Sequence, residues 1–162
     1  MLWNGYSERT VTWERGIIKL IDQRKLPNKL EFIECNNHLQ VVDAIKNMAI
    51  RGAPALGAVA AMALGLVCYK SKAKTKEDLI KELDIAVKDL SVTRPTGMNL
   101  FFTIQRVMNK AKTTEGSVKD IIDTVINEAL LISEEDIKIN HEIGRHGAKI
   151  LENNDIVLTH CK

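Results

Sequence analysis

Apolar positions in the first third of the chain alternate with polar ones and predict a small antiparallel sheet. Two β-rich runs, 10–14 and 17–21, are joined by Arg15-Gly16 and are typical of a hairpin. A turn at 27–28 separates them from a third run, 30–35, which predicts another strand.

The spacing of the apolar residues then changes from every second residue to about every three and a half residues, which predicts helices. Helical spacing begins near Asn37 and ends at Arg51-Gly52. The next segment, 54–70, is apolar on every side and rich in alanine and glycine, which predicts a central helix that other helices approach closely. It is nearly long enough to span a membrane, but its composition favours a helix buried among helices, and we predict no membrane association.

Three amphipathic helices follow this central helix. Thr75 opens the first with a sequence resembling a capping box, and the helix runs to Leu90. The second follows Arg94-Pro95, with Pro95 expected as its first residue, and the third begins at Ser117.

The last helix is expected to continue, with a bend, to 153–154, and residues 155–161 then predict a strand buried on both faces. Nothing earlier in the chain offers a strand of this type. We therefore interpret 1–132 as an N-terminal α+β domain, a small antiparallel sheet followed by a helical bundle. Residues 133–162 are interpreted as a linker helix and the first strand of a truncated Rossmann-like α/β domain.

Two arginines near prolines predict an anion-binding site. Arg51 lies just ahead of Pro54, and Arg94 directly precedes Pro95, each at a predicted helix start. Helix N-termini attract anions and arginine adds a bidentate donor, so the pair indicates a phosphorylated or otherwise anionic small molecule. Taken singly, Arg51 is also explained as a cation at a helix C-terminus and Arg94 as a solvated loop residue.

Composition narrows the class of protein further. The 162 residues carry a net charge of +2 from 23 basic and 21 acidic residues, without a basic stripe, so we predict no nucleic-acid partner. Cys35, Cys68 and Cys161 are odd in number and far apart, which favours a reducing cytoplasm over a disulfide framework. His141 and His146 are five residues apart, a poor spacing for chelation, so we predict surface histidines, no metal and no cofactor.

Four motifs together resemble the 5-methylthioribose-1-phosphate isomerase family. Its relatives include archaeal ribose-1,5-bisphosphate isomerases and regulatory subunits of the eukaryotic translation-initiation exchange factor 2B. The motifs are Thr12-Trp13 with 22–27, and the segments 50–55, 94–100 and 158–161.

The resemblance implies an aldose–ketose isomerase of methionine salvage that acts on a phosphorylated pentose and forms a homodimer. Arg51, Gly52 and Ala53 match the first substrate-binding segment of the family, and Arg94 matches its second substrate-binding arginine. Cys161 matches its catalytic cysteine. Whether the reaction transfers a proton or a hydride stays open.

The resemblance also leaves two alternatives, a ribose-1,5-bisphosphate isomerase and a non-enzymatic regulatory subunit. The joint presence of Arg51, Arg94 and Cys161 favours an enzyme. Lys162 stands where the family has asparagine, and the family's catalytic aspartate lies in the C-terminal domain. We therefore expect negligible turnover from these 162 residues alone.

Overall fold

A three-stranded antiparallel sheet opens the structure, a computed structural model that describes residues 9–158. Strands β1 (Val11–Glu14), β2 (Ile17–Ile21) and β3 (Phe32–Cys35) lie in the order β1-β2-β3. The predicted hairpin and third strand are thus confirmed.

The turn of the hairpin follows from its two residues. Arg15 and Gly16 both have positive φ, 49° and 81°, as two-residue hairpin turns that match the twist of the strands require. On β2, Ile18 and Leu20 are fully buried and point to the same face. That face packs on the helices.

Five helices follow the sheet. Their bounds are α1 (His38–Lys46), α2 (Ala53–Lys70), α3 (Lys76–Ser91), α4 (Met98–Thr113) and α5 (Val118–Gly147). Asn37, Thr75 and Ser117 cap α1, α3 and α5, each accepting a backbone N–H three residues on. These caps explain why the helices begin where the sequence predicts.

Helix α2 is the centre of the bundle and contacts all four other helices and two strands. It is long and apolar enough to cross a membrane, but 67% of it is buried inside the domain, as expected of a core helix. Its small residues admit close neighbours: a Cβ placed on Gly65 would lie 3.6 Å from the Cβ of Ala129 on α5.

Helix α5 is continuous and only its first half is covered. Its buried residues end at Ser133, and most positions beyond it are exposed. The helix ends at Gly147, earlier than the predicted stop at 153–154. The predicted boundary between residues 132 and 133 falls inside this helix, and the division into two domains stays a prediction.

The predicted strand at 155–161 is not observed in its described part. Residues 155–158 have no regular structure, and Ile156 and Leu158 are almost fully exposed. A strand needs a hydrogen-bonded neighbour, and within residues 9–158 the sheet consists of β1, β2 and β3 only. A Rossmann-like ending is therefore not confirmed, and 159–161 lie outside the described residues.

Candidate functional site

The loop that carries Arg51 is fixed by the way α1 ends. The amide of Met48 donates to Ile45 O (3.1 Å) and the amide of Ala49 donates to Ala44 O (2.9 Å). These two bonds form a Schellman motif, in which Met48 takes the left-handed conformation with φ of 58°. Because Ala49 is fully buried, the backbone that leads to Arg51 is held in one place.

Helix α2 begins at Ala53, one residue earlier than predicted, so Pro54 occupies the second helical position. Its N-cap is Gly52, whose φ of 95° suits glycine and whose missing side chain leaves the first turn without a side-chain cap. A Cβ on Gly52 would meet only Ala55, at 3.9 Å, so glycine is needed here for its backbone conformation and not for space.

The Arg51 side chain contains a buried donor without an acceptor. Its Nε is shielded from solvent and has no hydrogen-bond partner among residues 9–158. An unpaired buried donor costs about 1–3 kcal/mol, so such groups are rare outside functional sites. A ligand oxygen would satisfy it.

Arg94 opens a tight turn between α3 and α4. The amide of Gly97 donates to Arg94 O (2.9 Å), and α4 begins only at Met98. The prediction that Pro95 is the first residue of the helix is therefore wrong. The closed turn leaves little room at Gly97: a Cβ on Gly97 would be 3.1 Å from Arg94 O, so glycine suits this position.

The two corners lie at the same end of the bundle. Arg94 Nη1 lies 3.1 Å from Sδ of Met48, three residues ahead of Arg51. Helices α2 and α4 also touch near their N-termini, because a Cβ on Gly57 would lie only 2.8 Å from Oγ1 of Thr103. The structure thus places the Arg94 side chain against the loop that leads to Arg51, at the end of the bundle where α2 and α4 begin.

Among residues 9–158, no carboxylate forms an ion pair with Arg51 or Arg94. Within residues 9–158, the ion pairs of arginine side chains involve other positions, such as Arg106 with Glu128 and Glu135. Arg51 and Arg94 keep their charge available, as an anion site requires.

The backbone of the Arg51 loop is held by Gln23, which was not predicted as part of the site. The backbone N–H of Gln23 donates to Ala49 O (2.8 Å), and the side-chain Nε2 of Gln23 donates to Arg51 O (3.2 Å). Next to it, the buried Asp22 accepts two 2.7 Å bonds from the Arg24 guanidinium, and these bonds lower the pKa of Asp22. The 22–27 motif signalled this segment in the sequence, without indicating its role.

The predicted catalytic residue, Cys161, lies outside the described residues, and its role stays a prediction. The other two thiols are buried, and desolvation raises the pKa of Cys35 to about 11 and that of Cys68, with a contribution from Glu82, to about 12. They are unreactive core residues, as expected.

A separate cleft of about 610 Å³ lies on the α5 side of α2 and does not include Arg51 or Arg94. Its polar lining includes Asp136, whose pKa is raised by burial, and His141, which is exposed as predicted. Among residues 9–158, no three His, Cys, Asp or Glu side chains are grouped so as to hold a metal ion.

Sequence comparison places this chain in a known family. A family model described as the initiation factor 2 subunit family matches residues 49–162, which include both arginine corners. The chain belongs to this family. Within the initiation factor 2 subunit family, it is 41% identical over 152 residues to the methylthioribose-1-phosphate isomerase of Thermosipho melanesiensis, covering 94% of this chain and 44% of that protein.

Two solved structures share the fold of this chain. The 5-methylthioribose 1-phosphate isomerase from Pyrococcus horikoshii superposes with a TM-score of 0.84 at 37% identity, over 88% of this chain and 40% of that one. The translation initiation factor eIF-2B, subunit delta, from A. fulgidus gives 0.85 at 43% identity, over 96% and 45%. The chain spans less than half the length of these relatives, and the match confirms its α+β sheet and helices.

Proposed function

We propose that this chain forms the phosphate-binding part of the active site of a 5-methylthioribose-1-phosphate isomerase. The observation that carries the proposal is the buried Nε of Arg51, which has no hydrogen-bond partner among residues 9–158 and belongs to the loop between Met48, which contacts Arg94, and the N-terminus of α2. The name of the Thermosipho relative supports the choice of substrate.

In the proposed complex, the guanidinium groups of Arg51 and Arg94 bind the phosphate oxygens. The backbone at Gly52 and Ala53 adds the positive end of α2. These contacts hold the sugar so that its C1–C2 region faces the acid–base groups. A phosphate on the anomeric oxygen blocks the ordinary ring opening of free sugars, so the site must also polarise the ring oxygen or stabilise a ring-opened species.

The catalytic part of the reaction depends on groups beyond those described. Cys161 is proposed to stabilise the transition state, and an aspartate outside these 162 residues is proposed as the acid. Proton transfer and hydride transfer are both compatible with the binding groups. We therefore propose negligible turnover by the 162-residue chain alone, and a cytoplasmic homodimer for the whole enzyme.

The proposal is tested by calorimetric titration of the 162-residue chain with 5-methylthioribose 1-phosphate. Arg51→Gln and Arg94→Gln should each weaken binding by about tenfold or more, because a charge-assisted hydrogen bond contributes about 1.5–3 kcal/mol. Arg15→Gln is the matched control, since Arg15 is exposed in the hairpin turn. Equal affinities for all four proteins would contradict the proposal, and so would rapid isomerisation by the unaltered chain.

Two other functions predict different binding properties. A ribose-1,5-bisphosphate isomerase would bind that sugar more tightly than 5-methylthioribose 1-phosphate. A regulatory subunit is favoured by the 43% identity to the translation initiation factor structure. It predicts protein binding that is unaffected by the changes at Arg51 and Arg94.

A further inference from the structure

We infer that Met48 is a positioning residue that holds Arg94 in place for anion binding. The inference rests on the proposed function. Met48 has an unfavourable backbone conformation, and packing in the core does not explain why its side chain is a methionine.

The backbone of Met48 is in a conformation that favours glycine. It occupies the position after the helix cap in the Schellman motif that ends α1, with φ of 58°. Glycine is the usual residue there and asparagine the next choice, because a Cβ is disfavoured in the left-handed region. Methionine at this position needs another reason.

Burial does not supply that reason. The Met48 side chain is 42% exposed, whereas Ala49 and Ile50 directly after it are fully buried. The anchoring of this loop in the core is therefore done by its neighbours.

The contact with Arg94 does supply a reason. Sδ of Met48 accepts from Nη1 of Arg94 at 3.1 Å, across 46 positions of sequence. Through this contact, the flexible Arg94 side chain is tied to the loop that carries Arg51. Ordering one long side chain before the ligand arrives removes a cost that binding would otherwise meet.

The experiment measures stability and affinity in the same variants of the full 162-residue chain. Met48→Gly should leave the urea midpoint of unfolding unchanged or raise it, because the backbone strain is relieved. It should also weaken binding of 5-methylthioribose 1-phosphate by roughly two- to tenfold, as expected when one side chain loses its preorganisation. Met48→Gln keeps the length and an acceptor atom, and should bind nearly as tightly as the unaltered chain.

A double-mutant cycle shows whether Met48 acts through Arg94. In an Arg94→Gln background, Met48→Gly should have no further effect on affinity. The inference is overturned if Met48→Gly binds normally, if the two losses are additive, or if Met48→Gly lowers the midpoint. Failure of the proposed function looks different: the unaltered chain does not bind, or Arg51→Gln and Arg94→Gln leave its affinity unchanged.

Discussion

Two glycines of α2 should respond in opposite ways to the same substitution. In a helix interior, glycine to alanine normally stabilises by about 0.5–1 kcal/mol. At Gly65, the new Cβ would lie 3.6 Å or more from its neighbours, which is ordinary contact, so Gly65→Ala should give that full gain. At Gly57, it would lie 2.8 Å from Oγ1 of the buried Thr103 and 3.4 Å from Asn99 O, which is too close.

The difference between the two variants can be estimated from these distances. Overpacking a tight contact costs about 1–3 kcal/mol, so Gly57→Ala should be destabilising by about 1 kcal/mol after its helix gain is subtracted. The two variants should then differ by about 2 kcal/mol in the free energy of unfolding. In a domain of this size, that corresponds to about 4–8 °C in Tm.

Urea and thermal unfolding followed by circular dichroism measure this difference. Gly144→Ala is a further control, because a Cβ on the exposed Gly144 would have no neighbour within 4 Å and reports helix propensity alone. Adding Thr103→Ala to Gly57→Ala should recover at least about 1 kcal/mol of the loss. If Gly57→Ala is as stable as Gly65→Ala, the close approach of α2 and α4 beside the proposed anion site is refuted.

Two further predictions concern the sheet and the segment that supports Arg51. Gly16→Ala should cost about 1–2 kcal/mol, because its φ is 81° and a Cβ would overlap the Tyr69 ring; unchanged urea stability would contradict the turn geometry. Hydrogen bonds from Arg24 are the chief cause that lowers the pKa of Asp22 in the folded state. The ion pair therefore stabilises the folded state above about pH 4, and this contribution is lost as the pH falls through the lowered pKa. Asp22→Asn should therefore cost about 1 kcal/mol at pH 7 and have less effect near pH 2; an equal cost at both pH values would argue against this ion pair.

The sequence predicted those elements whose causes are local. The hairpin followed from Arg15-Gly16, α3 followed from the capping sequence at Thr75, and α5 followed from the helical spacing of apolar residues after Ser117. Pro95 was misassigned because proline suits both the first turn of a helix and the second position of a β-turn. The structure has the β-turn, which is closed by the hydrogen bond from the Gly97 amide to Arg94 O.

Long-range contacts set the limits of prediction in the site as well. Arg51 and Arg94 were predicted as a pair because each has a motif of its own. Met48 and Gln23 were not predicted as part of the site, because the contacts that matter span 46 and 28 positions. The apolar residues at 156–158 looked like part of a strand, but a strand requires a hydrogen-bonded partner that no local pattern supplies.

The uncovered half of α5 has a mechanical consequence. Residues beyond Ser133 extend for about 20 Å at 1.5 Å per residue, so a tilt of about 10° near Ser133 moves Gly147 by about 4 Å. Helix α2, whose N-terminus is part of the proposed anion site, packs along the covered half of the same helix. A small rotation of α5 at this contact would therefore become a displacement of several ångströms at Gly147.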